Sequence, residues 1–116
     1  MELENLSARA AEAEAFLKAL ANRYRLMVLC ELHRGERSVG ELQDMVGLSQ
    51  SALSQHLARL RADALVATRR DGHTIFYSIA SPGVSRVIAV LYDLYCADSC
   101  GRTSSRPAEI KQGKTT

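Results

Sequence analysis

Twenty residues in the middle of the chain, Ser38-Val39-Gly40-Glu41-Leu42-Gln43-Asp44-Met45-Val46-Gly47-Leu48-Ser49-Gln50-Ser51-Ala52-Leu53-Ser54-Gln55-His56-Leu57, constrain the fold more than any other stretch. Ser38 followed three residues later by Glu41 is a capping box, which opens a helix. Gly47 can adopt the left-handed conformation that closes it. Ser49 is then the N-cap of a second helix. Two short helices joined by a few residues with a glycine in the turn form a helix-turn-helix, whose second helix enters the major groove of DNA.

The angular distribution of residues along the second helix is informative. At about 100° per residue, Leu53, Leu57, Leu60 and Ala64 fall on one stripe that should face the core. Ser51, Ser54, Gln55 and Ala58 lie on the opposite or lateral side, with Gln50 at the N-terminal end. A merely solvated face is usually rich in Lys and Glu; this one is not. Ser and Gln donate to phosphates, and Gln can pair with adenine through two hydrogen bonds. The candidate DNA contacts here are Ser49, Gln50, Ser51, Ser54, Gln55, His56 and Arg59. Among them, His56 flanks the leucine stripe and is the one placed to pack or bond locally.

Leu65 to Ile79 follows directly. Two β-rich runs flank Asp71-Gly72, a strong hairpin signal. Ile75, Tyr77 and Ile79 alternate with Thr74, Phe76 and Ser78, while Arg69, Arg70 and His73 cluster at the tip. Alone it reads equally as a wing or as a surface hairpin with incidental charge. Placed after a recognition helix it reads as a wing, whose arginines contact phosphates or enter the minor groove.

The remaining elements are helical. One helix runs from about Leu3 to Leu20, with Leu3, Leu6, Ala10, Ala13, Leu17 and Leu20 striped along it. Asn22 caps another that reaches about His33, and Gly35 ends it. Ser81-Pro82 starts the last helix, striped by Val84, Val87, Ile88, Leu91, Leu94 and Tyr95. The fold class is therefore mainly α with a β-hairpin wing, a winged helix-turn-helix in the order α-α-α-α-β-β-α. With 116 residues there is room for one small domain. Its two apolar terminal helices carry more nonpolar surface than one core needs, which points to a homodimer through the first and last helices. Residues 1–100 are expected to form the DNA-binding and dimerisation domain. The Ser-, Thr-, Lys- and Gln-rich stretch 101–116 is expected to be a flexible polar tail.

The net charge is only +2. The N-terminal helix is acidic, while the recognition helix, wing and tail are basic. So modest a total argues against bulk coating of nucleic acid and suits a dimer that doubles a local basic surface. No run approaches the length of about 18 apolar residues that a membrane span needs. The acidic, Ala-rich N-terminus does not read as a signal peptide, so a cytoplasmic protein is expected. In that compartment Cys30, Cys96 and Cys100 should be reduced, and they are candidates for sensing rather than structural bridges. No phosphate loop, nucleophile elbow or paired catalytic carboxylates is apparent. Cys30 and His33 are one helical turn apart, but without a visible substrate pocket the pair does not read as an enzyme's. No cofactor or metal site is expected.

From Phe16 to Cys96 the sequence resembles the ArsR/SmtB family of bacterial winged-helix repressors. The residues that carry the likeness are Leu20-Ala21-Asn22-Arg23-Tyr24-Arg25-Leu26, Ser38 to Leu42, Leu48 to Leu57, Leu60-Arg61 and Val66 to Gly72. The resemblance implies a homodimer that binds double-stranded operator DNA until an inducer releases it. Cys30, in the second helix, and Cys96, at the end of the last, match the thiols by which one branch of the family senses reactive sulfur. That likeness implies that persulfide donors link the two through extra sulfur atoms and that the linked form binds operator poorly. Cys100 is a further candidate. The family's metal sensors often carry a cysteine pair in the helix where this chain has Glu41-Leu42-Gln43-Asp44, which has none. Others use Asp/His and His/Glu pairs on the last helix, where this chain has Asp93 but no His. Two alternatives stay open at this point: a metal- or arsenite-responsive repressor using the cysteine thiolates, and a winged-helix protein-interaction module.

Overall fold

A side chain or glycine marks most of the helix boundaries in the computed structural model, which describes residues 3–95. The elements are α1 (Leu3–Leu20), α2 (Arg23–Arg34), β1 (Arg37–Ser38), α3 (Val39–Val46), α4 (Gln50–Ala62), β2 (Val66–Asp71), β3 (Thr74–Ile79) and α5 (Pro82–Tyr95). Asn22 Oδ1 accepts from the amides of Tyr24 and Arg25, opening α2. Ser38 Oγ accepts from Glu41 N while Ser38 N donates to the Glu41 carboxylate, the reciprocal capping box of α3. Gly47, at φ 79°, turns the chain left-handed, and Ser49 Oγ takes the amide of Ala52 to start α4. Ser81 does the same for α5 through Val84 N.

The hydrophobic stripes converge on one core. Val28, Leu29 and Leu32 of α2, Leu42 and Val46 of α3, Leu53, Leu57 and Leu60 of α4, and Val84 and Ile88 of α5 are all buried, with Leu65 and Val66 closing it. Because α2 packs against α3, α4, α5 and β3, it is the hub of the domain. At one end of α1, Ala19 and Leu20 join this core. Along its stripe Ala10, Ala13 and Leu17 are exposed, so a single chain leaves most of α1 uncovered.

The sheet has three antiparallel strands in the order β1-β3-β2. Its first strand was not expected: Arg37 and Ser38 pair with Tyr77 and Phe76. Two residues show no alternation, and Ser38 doubles as the cap of α3, which dominates its local signal. The hairpin turn also sits one residue later than Asp71-Gly72 suggests. Asp71 pairs with Thr74, so the two loop residues are Gly72 and His73. Gly72 has φ 66° while His73 does not appear at positive φ, which suits a turn with glycine at its first central position.

The expected core stripe of α4 is corrected at its end. Leu53, Leu57 and Leu60 are buried, but Ala64 is exposed and lies beyond the helix at φ 59°. Its amide donates to Arg61 O, and the Leu65 amide donates to Leu60 O, closing the helix with a left-handed residue. A residue with Cβ is strained there by about 1 kcal/mol. Ala64→Gly should therefore raise the stability by roughly 0.5 kcal/mol, after the added freedom of the unfolded glycine is discounted. Thermal melting checks it, with a Tm about 2–4 °C higher as the expected result.

Candidate DNA-binding face and sensing thiol

Helix α4 presents the polar face its sequence describes. Gln50, Ser51, Ser54, Gln55, Ala58 and Arg59 are exposed, opposite the buried Leu53-Leu57-Leu60 edge. Its first turn carries no acidic residue, so the unpaired amides there remain open to a phosphate. Ser49 Oγ accepts from Ala52 N, which leaves its hydroxyl proton to donate outward. Arg59 Nε lies 3.0 Å from Asp63 Oδ2, a half-exposed pair that a phosphate can displace at little cost.

His56 does not join this face. Its Nδ1 lies 3.4 Å from Arg25 Nη1 and its ring centroid 6.1 Å from that of Tyr24, both on α2. Burial, and then the Arg25 charge, push its pKa below the ordinary histidine value. Arg61, in contrast, belongs with the polar face. Together with Ser54, Ala58, Val39 and Tyr77 it lines an open groove of about 460 Å³ between α4 and the sheet. The spacing Ser54-Ala58-Arg61 already follows the helical period, and that was the signal available for including it.

The wing arginines point to opposite faces of the sheet. Neighbouring residues in a strand alternate, and the register pairs Arg69 with Phe76 and Arg70 with Ile75. Arg70 shares its face with Thr68 and Tyr77, the side that meets α4. Arg69 is on the outer side, where Nε and Nη2 reach the two Glu36 carboxylate oxygens at 2.9 and 2.8 Å. Its guanidinium also lies 4.6 Å from the centroid of the Phe76 ring. Hydrogen bonding from Arg69 holds the Glu36 carboxyl below its ordinary range, and the same bond raises Arg69. His73 is exposed at the turn. Of the two, Arg70 is thus the stronger candidate for a phosphate contact. Arg70→Ala should lower the salt dependence of binding, log Kobs against log [salt], by about 0.9 per subunit, whereas Arg69→Ala should change it less. Titrations of labelled DNA at several salt concentrations compare the two; equal effects would contradict the assignment.

Cys30 is half-buried on α2, packed against the edge of the core. Helix α2 lies against α5, where the His33 and Tyr92 rings stand 6.2 Å apart. His33 is otherwise exposed. Cys96 and Cys100 lie outside the described residues, as does the 101–116 segment. Among the described residues no group of three or more His, Cys, Asp and Glu is arranged to hold a metal ion.

A further feature is apolar. Leu17 of α1 and Val90, Leu94 and Tyr95 of α5 are each more than half exposed. Phe16 and Val87, Val90 and Leu91 border an open groove of about 510 Å³ between these helices.

Residues 22–68, which span α2, α3, α4 and the start of the wing, match the model of the arsR family of bacterial regulatory proteins. The chain is 50% identical over 96 residues to the transcriptional activator HlyU of Vibrio cholerae, covering 83% of this chain and 89% of HlyU. The structure of reduced HlyU from that organism matches with a TM-score of 0.78 over 81% of this chain and 99% of HlyU. The transcriptional repressor BigR from Xylella fastidiosa is 40% identical, with a TM-score of 0.77 over 84% of this chain and 99% of BigR. The homodimeric winged helix-turn-helix domain of Mb0332 from Mycobacterium bovis is 31% identical, with a TM-score of 0.66 over 81% of this chain and 87% of that domain. The chain belongs to the ArsR family of winged helix-turn-helix transcriptional regulators. It is accordingly a DNA-binding protein, and α4 is the second helix of its helix-turn-helix.

Proposed function

We propose that this regulator is a homodimeric, cytoplasmic repressor whose grip on operator DNA is released when reactive sulfur bridges Cys30 and Cys96. The observation that carries the reading is the position of Cys30. It is half-buried on α2, a helix that packs against both α5 and α4. Cys30 precedes His33 by three residues, Cys96 follows Tyr92 by four, and His33 and Tyr92 are in ring contact. A covalent link across α2 and α5 would act directly on the hub that holds α4.

The chemistry needs only the two thiols and a persulfide donor. One thiolate attacks the outer sulfur of the donor, taking that sulfur and releasing the donor as a thiol. A second transfer lengthens the chain. The other thiolate then attacks the middle sulfur and expels hydrogensulfide, leaving one sulfur between the two cysteines. A direct disulfide needs Cα atoms within about 7 Å; an inserted sulfur relaxes that limit and favours persulfide over peroxide. No catalytic group, cofactor or metal is required, and the protein turns over no substrate.

The dimer reading is supported by the uncovered apolar surfaces of α1 and α5 and by the homodimeric relative Mb0332. Two α4 helices set at the DNA repeat of about 34–36 Å would read two half-sites. BigR is described as a repressor and HlyU as an activator; repression is the simpler outcome for a protein that occupies a promoter and then leaves it. The test is a binding titration on the promoter region of its own gene at stated salt. Tight binding is expected, with release on addition of a persulfide donor and none on addition of arsenite. Leu17→Glu combined with Val90→Glu should yield a monomer by sedimentation that binds the same DNA at least about tenfold more weakly. Failure to bind in the reduced state would favour a protein-interaction role.

A further inference from the structure

The C-terminal end of α1 and the middle of α4 are held by one side chain. Arg25, in the first turn of α2, donates from Nε to Ala19 O at 2.7 Å and from Nη2 to Lys18 O at 3.3 Å. These are among the last carbonyls of α1, where a helix presents unpaired acceptors and partial negative charge. The third nitrogen, Nη1, faces His56 Nδ1 at 3.4 Å. A guanidinium has donors and no acceptor, so the contact requires Nδ1 to be unprotonated. His56 is further backed by the Tyr24 ring, tilted by 33°. His56 lies between Gln55 of the polar face and the buried Leu57, so its setting fixes the roll of α4 about its own axis.

We propose that Arg25 is a positioning residue for operator binding, tying the end of α1 to His56 and thereby setting the pose of the recognition helix relative to the dimerisation helix. The role assigned to α1 rests on the dimer reading above; the tie itself does not. Burial, then Arg25, disfavour the charged form of His56. The groups in play are Arg25 and Tyr24 from α2, the Lys18 and Ala19 carbonyls from α1, and Arg59 of α4 with Asp63 at its C-cap, which act on Arg25. Because the folded protein depresses His56, the tie is complete above the ordinary histidine pKa of about 6.5 and is lost as pH falls through the lower folded value. Protonation then sets two cations against each other.

The test compares His56→Phe, which keeps a ring against Tyr24 but has no acceptor, with His56→Gln, which keeps an acceptor. Both are measured in the full chain by melting, sedimentation and operator titration at fixed salt from pH 8 to 5.5. His56→Phe should stay folded, keep the wild-type oligomeric state and lose about tenfold or more in operator affinity. His56→Gln should bind within a few-fold of wild type. On acidification wild type should weaken relative to His56→Gln; every other residue is common to both, so the difference belongs to position 56. Unchanged affinity in His56→Phe, or superimposable pH profiles of wild type and His56→Gln, would overturn the proposal. A monomeric His56→Phe beside a dimeric wild type would overturn it too, because the residue would then serve dimerisation. If wild type is itself monomeric but the pH difference persists, the dimer reading fails and the tie stands. Should His56→Phe not fold, Arg25→Lys, which keeps the charge and removes the fork, must show the same loss of affinity.

Discussion

Replacing Gln55 by Glu should cost the protein about two orders of magnitude or more in operator affinity while leaving its melting temperature nearly unchanged. Gln55 is exposed on α4, on the face opposite the buried Leu53, Leu57 and Leu60. A side-chain amide that pairs with a base edge contributes about 1–3 kcal/mol of discrimination, and the proposed dimer would carry two copies. Glu keeps the length but loses the donor and sets a negative charge against the phosphates. Its effect on folding should be small, since the residue is exposed and surface substitutions usually stay within about 0.5 kcal/mol. Anisotropy titrations of labelled operator at one salt concentration measure the loss. An unchanged Kd would remove α4 from the DNA interface.

The second large effect concerns induction. Cys30→Ser should bind operator like wild type and fail to leave it when a persulfide donor is added, and Cys96→Ser should behave the same way. Serine preserves size but supplies no nucleophilic thiolate at neutral pH. At half-buried Cys30 the hydroxyl should cost on the order of 1 kcal/mol of stability. Against that small cost stands the loss of the whole switch. To move a population from almost fully bound to almost fully released, the two sulfur states must differ by about 5 kcal/mol in DNA affinity. Either single variant that still dissociates on persulfide addition would contradict a two-thiol scheme.

How much of this was legible beforehand depends on the range of the interaction involved. Capping is local, and the roles of Asn22, Ser38 with Glu41, Gly47, Ser49 and Ser81 can be read from neighbours one turn away. Helical periodicity likewise identifies Leu53, Leu57 and Leu60 as core. It overruns at Ala64 because periodicity carries no stop signal, and the left-handed residue there is alanine rather than glycine. Strand pairing is less local. A one-residue slip moves the turn from Asp71-Gly72 to Gly72-His73, and β1 is invisible until β3 is present to pair with it. Side-chain contacts across the fold were out of reach. The Glu36 carboxylate that engages Arg69 is 33 residues away in sequence. Arg25 and His56 are 31 apart. Arg69 and Arg70 form one basic cluster in sequence and two separate surfaces in the folded wing. The proposed pairing of Cys30 with Cys96 starts from resemblance, since no periodic pattern relates two residues so far apart in sequence.

The decisive measurement follows one sample of reduced protein on labelled operator during titration with a persulfide donor, reading bound fraction by anisotropy and covalent state by intact mass. Release should track a species in which each subunit has lost two hydrogens and gained at least one sulfur, with peptide mapping joining Cys30 to Cys96. Dissociation without that linkage, or complete linkage with the DNA still held, would contradict a dithiol switch.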